Sequence, residues 1–467
     1  MCSIAGYEVS IPKFQIENHI LDPHFGKRKG NRTVIFSDED VLTLAFDAGC
    51  KCLENQPQSD NIDAAIFAST TPVFRIRYHA SFLAELLNLP RGILALDLCA
   101  SPRSGTDALL LAEHLLNTKQ YQNVLVLAAD TFFPPIGDEL KVPFGHAGCA
   151  LLLNNQKGLA EIKSAKTYSS FITEEFVYKG SPIQVDARFG RGAGFLSNLG
   201  YALKDFLGKD DFQPSDYHAV ILNSLYAKAA GELFVKSGFD AEKQFFMDSL
   251  QSQIGYTRAC HGLLILIDAL EKKSSNILFI DYGNGTNMFR VEQTNQSGDG
   301  NIFENRMRDL RQIESYQDYL LLEKAGKVDS TGQKQEMFSS DMMLEREKEN
   351  LLHLKGFECT KCKTIYFIKS QRCTNCGNEE FSLRKLKKSG TVFTYTKEHY
   401  FPTSFPPVTM AVIDLDGGGR VTVQVTDEMY PDKTGDALIG RKVELVLRKM
   451  IENDVKPNYF WKCRLVG

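Results

Sequence analysis

Four cysteines near the C-terminal end of the chain have the spacing of a metal site. Cys359, Cys362, Cys373 and Cys376 form two C-x2-C pairs that are separated by ten residues. Four thiolates on two tight turns can close a tetrahedron around zinc, and structural zinc sites use all four positions for protein ligands. The spacing therefore predicts a structural zinc ion. Unrelated cysteines or thiol redox chemistry are the weaker alternatives, because one pair would suffice for redox use.

Another cysteine lies at a corner of the kind that often holds a nucleophile. The stretch LDLCASPRSGTDAL, residues 96–109, reads as an apolar strand, a corner of small residues and the start of a helix. A helix N-terminus lowers the pKa of a thiol, whereas apolar burial raises it. Residues of a strand alternate between its two faces and rise about 3.3 Å each. Because Cys99 directly follows the apolar run LDL, it is expected at the buried end of the strand rather than at the helix N-terminus. Core packing is therefore favoured over catalysis for Cys99, and Pro102 fits the first helical turn.

Four further polar residues are weaker candidates for chemistry. They are His146 in FGHAGC, Tyr256, and the adjacent pair Cys260 and His261 in ACHG. A thiol beside an imidazole can form an ion pair, but neighbouring residues on one element point in different directions. A histidine in such an apolar stretch is more often a hydrogen-bonded core residue than a base. We therefore expect a structural role for His261.

The elements that must position these residues alternate along the first 290 residues. Short apolar runs predict strands, among them DAAIFAST, GILALDLC, NVLVLAAD, GCALLLN, HAVILNS and NILFIDYG. Between several of them lie helical patterns such as SGTDALLLAEHLLNT. Continuous apolar strands must be buried on both faces, so this alternation predicts an α/β core of parallel strands covered by helices.

Composition narrows the classes of function. The chain has 467 residues, a formal net charge of −4 and 11 cysteines. No basic stripe is present, which argues against nucleic acid as a partner. The N-terminal stretch lacks a basic region followed by an apolar core, and no apolar run has the length of a membrane span. The odd number of cysteines is typical of a reducing compartment, so we expect a cytoplasmic protein without membrane contact.

The last third of the chain has a different pattern. Polar and charged helical stretches follow residue 293, and after the cysteine pairs come five alternating segments that break at Gly, Asp and Pro. They predict antiparallel strands that close into a small OB-type barrel. Barrels of this class often bind oligonucleotides. The aromatic residues here are interleaved with prolines and acids rather than a basic groove, which favours packing roles.

The two parts resemble known families. The sequences LHLKGFECTKC, CTNCG, SGTVFTYT and VTMAVIDLDGGGRVTVQVTD resemble the zinc-ribbon plus OB-fold module, a domain of unknown function that accompanies thiolases and 3-hydroxy-3-methylglutaryl-CoA synthases. The sequences LDLCASPRSGTDALLLAEHLL, FGHAGCALLL, IGYTRACHGLLILIDAL and YGNGTNMF resemble thiolase-fold synthases, above all 3-hydroxy-3-methylglutaryl-CoA synthase and ketoacyl synthase III.

The resemblance implies an α/β thiolase-like fold with duplicated halves, followed by a zinc ribbon and a small OB-type β-barrel. The expected parts are an N-terminal thiolase-like half (1–165), a C-terminal half (166–325), a helical linker (326–356), the zinc ribbon (357–384) and the OB-fold barrel (385–467). Synthases of this fold usually form dimers, so a homodimer through the thiolase-like domain is implied.

The catalytic positions of the synthases are occupied by other residue types in this chain. The nucleophilic cysteine falls on Pro102, the general-acid/base glutamate on Thr70, the histidine on Asn223 and the asparagine on Tyr256. A hydroxyl cannot replace the carboxylate in proton transfer near neutral pH. The nucleophile, its imidazole, the acid/base and the oxyanion group are thus all absent from their expected places. The glycine loop with Gly283 and Gly285 resembles the family's loop near the active site.

The resemblance therefore implies a synthase-like, non-catalytic subunit. It would scaffold a thiolase-like catalytic partner in an acyltransferase complex, of the type that acetylates phloroglucinols, and would handle acyl-CoA or acylated small molecules. Coenzyme A thioesters or an acyl carrier are the implied ligands. The alternative is an active acyltransferase, condensing enzyme or thiolase-fold aldolase that uses the displaced residues.

Overall fold

The computed structural model divides into two compact units, one of residues 1–34 and 44–316 and the other of residues 35–43 and 317–467. The structure describes residues 2–21, 29–54, 56, 61–133, 144–178, 181–184, 186–209, 212–294, 300–327, 341–401, 403, 405–431, 437–452 and 457–466. Part of the predicted helical linker, residues 328–340, lies outside the described residues.

The first unit combines strands and helices in alternation. Its strands are β1 (Cys2–Ser10), β2 (Phe14–Glu17), β3 (Asn31–Val34), β4 (Ala64–Ala68), β5 (Leu94–Leu98), β6 (Asn123–Asp130), β7 (Ala147–Asn154), β8 (Ala160–Ser169), β9 (Glu175–Tyr178), β10 (Ser181–Gln184), β11 (Ala219–Asn223), β12 (Asn276–Tyr282), β13 (Gly285–Gln293) and β14 (Arg311–Gln312). Its helices are α1 (Asn18–Leu21), α2 (Val41–Glu54, which begins in the segment 35–43), α3 (His79–Leu86), α4 (Ser104–Asn117), α5 (Ala187–Phe189), α6 (Ser197–Leu207), α7 (Gly231–Lys236), α8 (Ala241–Gln244), α9 (Leu250–Ile254), α10 (His261–Glu271) and α11 (Ile302–Met307). A π-helical segment, Gly190–Leu196, precedes α6.

The main sheet has nine strands in the order β11-β12-β13-β8-β1-β7-β6-β4-β5. The pairs β11–β12, β4–β5 and β4–β6 are parallel, as the alternation predicted. The strands in between are antiparallel, so the prediction of a parallel sheet was wrong for this part. The reason is local for β12 and β13, because a two-residue turn joins them and only antiparallel strands can be joined so tightly.

Two helices form much of the core of this unit. Residues from α4 and α10 belong to one apolar cluster together with strand residues from both ends of the sheet. Ten of the eleven residues of α10 are buried, as its sequence HGLLILIDALE demands of a helix that is apolar on nearly every face. Because α4 begins directly after the corner at Pro102, packing of α4 fixes the position of that corner.

The second unit contains helices, a small three-stranded sheet and a barrel. Its elements are α12 (Tyr316–Lys327), α13 (Asp341–Leu351), β15 (Lys355–Cys359), β16 (Ile365–Tyr366), β17 (Phe381–Lys385), β18 (Ser389–Glu398), β19 (Val408–Leu415), β20 (Arg420–Gln424), β21 (Lys442–Glu452) and β22 (Pro457–Leu465). The small sheet has the order β16-β15-β17 and carries the cysteine pairs.

The barrel has the strand order β20-β19-β18-β21-β22, with all neighbours antiparallel. An isolated bridge between Val425 and Cys463 brings its two outer strands together, so the five strands nearly close. The predicted OB-type barrel is thereby confirmed. Alternation along β19 places Ala411, Ile413 and Leu415 in the core.

Among the described residues, no helix combines the length and the apolar character needed to cross a membrane.

Candidate functional site

The corner between β5 and α4 packs closely against the turn between β12 and β13. Pro102 lies in the turn before α4 rather than in the first helical turn, because the helix begins at Ser104. The hydroxyl of Ser101 donates a hydrogen bond to the carbonyl of Gly283 at 3.0 Å. A Cβ at Gly283 would lie 3.4 Å from Cβ of Pro102 and 3.2 Å from the nitrogen of Arg103. The loop with Gly283 therefore packs against the corner, and the residue that it meets there is a proline.

The residue after this proline is held by polar side chains. Nη1 of Arg103 donates to Asn287 at 3.1 Å and to Thr167 at 3.2 Å, and Nε lies 3.5 Å from a carboxylate oxygen of Asp107. The amide of Asn287 in turn donates to Asp107 at 2.7 Å. The guanidinium thus connects α4 to strands β8 and β13, which is a structural arrangement.

Cys99 lies just beyond the end of β5 and is half-buried. Burial, followed by the carboxylates of Asp97 and Asp130, raises the pKa of its thiol to about 12. Only the thiolate is a good nucleophile, so at neutral pH Cys99 has almost none of the reactive form. The structure therefore places Cys99 near the corner and leaves it unactivated.

The position of the expected acid/base glutamate is a hydrogen-bonded threonine. The nitrogen of Thr70 donates to Oδ1 of Asp130 at 2.8 Å, and its hydroxyl donates to the same oxygen at 3.1 Å. The nitrogen of Thr71 and the hydroxyl of Ser69 also donate to it, while Oδ2 accepts from the nitrogen of Ala259 at 2.7 Å. Asp130 is fully buried and holds the end of β4 beside the segment before α10. This carboxylate serves as an acceptor for structural donors.

The position of the expected histidine is part of a second buried network. The amide of Asn223 donates to Oδ1 of Asp281 at 2.8 Å, and the hydroxyl of Thr106 donates to Oδ2 at 2.6 Å. Burial raises the pKa of Asp281 to about 6. All three residues are buried. Sequence reasoning missed Asp130 and Asp281, although Asp130 is the last residue of the apolar strand NVLVLAAD and Asp281 the last but one of NILFIDY.

Tyr256, at the position of the expected asparagine, is buried among aromatic rings rather than in a polar network. It is 4 % exposed, and its ring packs against Phe144 and His261 with centroids 6.2 and 4.9 Å apart. None of the described residues makes a hydrogen bond with its hydroxyl. Burial raises its pKa well above the usual value, so the phenol stays neutral. Nearby, Arg258 pairs with Glu175 and covers the ring of Phe132 at 4.2 Å.

The remaining predicted polar residues do not come together as a catalytic set. Burial lowers the pKa of His146 to about 3, and its Nε2 lies 3.2 Å from the carbonyl of Phe132. The thiol of Cys260 donates to the carbonyls of Thr257 and Ala147 at 3.2 and 3.4 Å, and burial raises its pKa.

His261 turns to other groups, with Nε2 at 3.0 Å from Asp248 and Nδ1 at 3.1 Å from the hydroxyl of Thr257. It is 1 % exposed, and Asp248 also accepts from the backbone nitrogens of Leu250 and Gln251 at the start of α9. Cys260 and His261 therefore form separate hydrogen bonds.

The backbone conformation at residue 285 requires glycine. Its φ is +119°, and a Cβ there would collide with the carbonyl of Tyr168 on β8. Only glycine adopts this conformation without strain. The residue allows the turn from β12 into β13, and no binding role is needed to explain it.

The four cysteines of the small sheet do converge. The Sγ atoms of Cys359, Cys362, Cys373 and Cys376 all lie within 4.8 Å of one another. The pairs Cys359–Cys376 and Cys362–Cys373 are 3.6 and 3.4 Å apart. Thiolates around a tetrahedral ion at about 2.3 Å would lie about 3.8 Å apart, so the cluster fits a metal with four sulfur ligands.

Neighbouring donors favour the thiolate form of two of these ligands, Cys362 and Cys359, whereas the adjacent sulfurs raise the pKa of Cys376. The hydroxyl of Thr364, 3.2 Å from Sγ of Cys362, lowers the pKa of that thiol to about 5. The pKa of Cys359 is also lowered, chiefly by the backbone nitrogen of Cys362. The amide of Asn378 donates to Sγ of Cys359 at 3.5 Å. Such outer groups orient metal ligands, and the cysteine spacing gave no signal for them.

The barrel has recognisable relatives. Residues 383–448 match the family described as ChsH2, C-terminal OB-fold domain. A DUF35 domain-containing scaffold protein of Methanocaldococcus jannaschii is 36 % identical over 104 residues, which cover 21 % of this chain and 71 % of that protein. This chain belongs to the DUF35 domain-containing family. Unlike that relative, this DUF35 protein carries a much longer additional part.

The additional part of the DUF35 protein is similar to hydroxymethylglutaryl-CoA synthases. That of Methanobrevibacter smithii is 24 % identical over 300 residues, which are 61 % of this chain and 86 % of the synthase. A structure of HMG-CoA synthase complexed with CoA has a TM-score of 0.58 at 16 % identity and covers 69 % of this chain and 90 % of its own. 3-Oxoacyl-[acyl-carrier-protein] synthase III from Aquifex aeolicus has a TM-score of 0.55 at 19 % identity, covering 62 % and 100 %. The predicted thiolase-like fold is confirmed.

Proposed function

We propose that this chain is a non-catalytic, synthase-like subunit fused to a zinc-ribbon/OB module, and that it scaffolds a thiolase-like acyltransferase complex. The observation that carries the proposal is the corner at residue 102. The side chain at this position is a proline packed on Gly283, and two of the other expected positions, Thr70 and Asn223, donate to buried carboxylates. These groups stabilise the fold and cannot form a thioester.

Five of the six thiols of the first unit support this proposal. Burial raises the pKa of Cys2, Cys52 and Cys99 to about 12 in each case, and it raises the pKa of Cys149 and Cys260 as well. A catalytic cysteine needs a lowered pKa or an adjacent base. None of these five thiols is hydrogen-bonded to a histidine in the part of the chain that the structure describes.

The partner follows from the two sequence similarities taken together. A DUF35 relative bears the name scaffold protein, and the synthase relatives act on CoA thioesters by name. A chain that unites both parts but lacks the nucleophile would hold a separate thiolase-like subunit, with acyl-CoA or an acyl carrier as the source of the acyl group. Coenzyme A thioester is thus a ligand of the complex.

Zinc is the metal that we propose for the four cysteines. Four closely spaced thiolates suit its tetrahedral coordination, and no position remains for water or substrate, so the ion would stabilise the ribbon. All eleven cysteines are free of disulfides in the structure. We therefore keep the prediction of a reducing, cytoplasmic location, where thiols remain available as ligands.

A homodimer is proposed from the edge of the main sheet. Strand β5 pairs with β4 on one side, and the described residues place no strand on its other side. Its sequence LALDL is apolar except for one residue, and all five residues are half-buried. An exposed apolar edge of this kind pairs readily with a second copy. The edge of β5 is therefore the proposed contact between two chains.

The experiment that tests the proposed function is purification of the chain with and without the proteins encoded beside it. We expect acyl transfer only when a thiolase-like protein co-purifies. The chain alone should release no CoA from acetyl-CoA above the rate in buffer. Acyl transfer by the chain alone at the full rate of the complex would contradict the proposal.

A second candidate function is an active acyltransferase, condensing enzyme or aldolase that uses Tyr256. The observation in its favour is the buried, neutral phenol whose hydroxyl has no hydrogen-bond partner among the described residues. A neutral phenol can donate to a developing oxyanion. The candidate is weaker because the groups around Tyr256 supply no nucleophile with a lowered pKa.

The substitution Tyr256→Phe separates these two functions. If the chain is a scaffold, the acyl-transfer rate of the purified complex should change by less than about twofold, because only the hydroxyl is removed. If Tyr256 is catalytic, kcat should fall by about a hundredfold or more. The matched control is Tyr226→Phe, a phenol in the same unit that lies beside Gly190. Steady-state kinetics of both variants decide the question.

A further inference from the structure

A short N-terminal segment is built into the C-terminal unit. Residues Ile35–Thr43, with the sequence IFSDEDVLT, belong to the same compact unit as Gln317–Gly467. The ring of Phe36 stacks on Phe405 with centroids 5.3 Å apart, and both residues are buried. The OB-type unit is therefore completed by a part of the chain that is distant in sequence.

The first acid of this segment is surrounded by donors from the barrel. Oδ2 of Asp38 accepts from Nζ of Lys462 at 2.8 Å and from the hydroxyl of Thr426 at 2.7 Å. Nε of Arg448 lies 3.4 Å from Oδ1, and the backbone nitrogen of Lys449 donates to the carbonyl of Asp38 at 2.9 Å. Burial opposes ionisation, but Lys462 and Arg448 hold the pKa of Asp38 below its usual range.

The next two acids of the segment, Glu39 and Asp40, also contact side chains of the barrel. Oε1 of Glu39 lies 2.8 Å from Nη2 of Arg448, and its other oxygen accepts from the nitrogen of Phe36 at 2.8 Å. The hydroxyl of Tyr459 donates to Oδ2 of Asp40 at 2.7 Å. Three consecutive acids thus contact three different side chains of β21 and β22.

Burial makes these contacts matter for stability. Lys462 is 2 % exposed and Arg448 is 3 % exposed. Asp38 is the acceptor of Lys462, and among the described residues no second carboxylate pairs with this ammonium. Arg448 has a further acidic neighbour, Asp427, which lies 3.5 Å from its Nη2. A buried charge that loses its partner is strongly destabilising, whereas an exposed pair contributes little.

We propose that the C-terminal barrel carries a binding site for an acidic peptide segment of the Asp-Glu-Asp type, and that the chain fills this site with its own residues 38–40. The site is formed by Arg448, Lys462 and Tyr459. Its occupation is a condition for the stability of β21 and β22. This proposal is independent of whether the first unit is catalytic, because every contact that supports it lies within the second unit.

Hydrogen exchange of the full-length protein, followed by mass spectrometry, tests the proposal. Asp38→Asn and Lys462→Met should each increase the exchange of segment 35–43 and of strands β21 and β22 together, by about tenfold or more. Asp38→Asn leaves the buried ammonium of Lys462 without a carboxylate, and Lys462→Met removes from buried Asp38 the cation that lies 2.8 Å away. The double variant should recover most of the protection, because neither group of that pair is then left alone. The cysteine sheet β15–β17 should keep the exchange of the wild type.

Two further variants keep the test decisive. Lys442→Met removes an exposed lysine of the same strand β21, whose distance to Asp416 is 4.0 Å, and should change exchange by less than about twofold. Thr426→Val retains every charge and removes one hydrogen bond to Asp38, so it should raise exchange of the segment and both strands together even if the charge variants do not fold. Faster exchange of the segment alone, with wild-type protection of β21 and β22, would overturn the proposal.

Discussion

Cys359→Ser will remove the proposed zinc ion from the C-terminal module and unfold its small sheet. Cys359 is buried at the end of β15, and its sulfur lies 3.6 Å from that of Cys376. The described sheet has only twelve residues in its three strands, which are too few to form a stable core without a bound metal ion or another cross-link. Zinc binding in small zinc peptides is worth about 10–16 kcal/mol, so loss of one ligand should destabilise this region by several kcal/mol.

The measurement for Cys359→Ser combines elemental analysis with hydrogen exchange. We expect one zinc ion per wild-type chain, less than about one tenth of that in the variant, and loss of protection in β15–β17. Cys50→Ser is the matched control, because Cys50 lies in α2 outside the cluster and should leave the zinc content unchanged. A variant that keeps both its metal and its protection would show that the four cysteines do not form the site.

Ala95→Pro will dissociate the proposed homodimer without unfolding the first unit. The nitrogen of Leu94 donates to the carbonyl of Asp63, and the carbonyl of Leu98 accepts from Ser69, so the even-numbered residues of β5 bond toward β4. The N–H of Ala95, between them, therefore points to the open edge. Proline removes this donor and blocks pairing with a second copy, while the bonds to β4 remain.

Sedimentation equilibrium measures this effect. The dissociation constant of the dimer should rise by about a hundredfold or more in Ala95→Pro, because continuous pairing of the two sheets is lost. Ala95→Val keeps the N–H and should dimerise like the wild type. Circular dichroism should show the same secondary structure for all three proteins. A wild-type chain that is monomeric at micromolar concentration, or an Ala95→Pro dimer of unchanged affinity, would contradict the proposed contact.

Features determined by local spacing were predicted well from the sequence. The cysteine pairs need only two tight turns to bring their sulfurs together, so their spacing alone indicates a metal site. The barrel strands were found because polar and apolar residues alternate along segments such as VTMAVIDL. Counting from the strand end assigns residue 102 to the nucleophile position, which stays a prediction; in the structure this residue packs on Gly283.

Features that depend on distant partners were not predicted. The direction of the central strands was missed because a continuous apolar run looks the same in a parallel and an antiparallel sheet. The acidic stretch SDED gives the pattern of a solvated turn before a helix, and only its partners Lys462 and Arg448 show that it is buried. The roles of Asp130 and Asp281 likewise depend on donors from other elements, which no local pattern reveals.

The central claim is that the synthase-like unit forms no acyl-enzyme. The most direct test is intact-mass spectrometry of the purified chain after incubation with acetyl-CoA and with longer acyl-CoAs, followed by peptide mapping. We predict an unchanged mass for this chain and an adduct on the co-purified thiolase-like protein, because the corner holds Pro102 and the pKa of Cys99 is raised to about 12. A stable acyl adduct on Cys99 or on another thiol of this chain would contradict the claim.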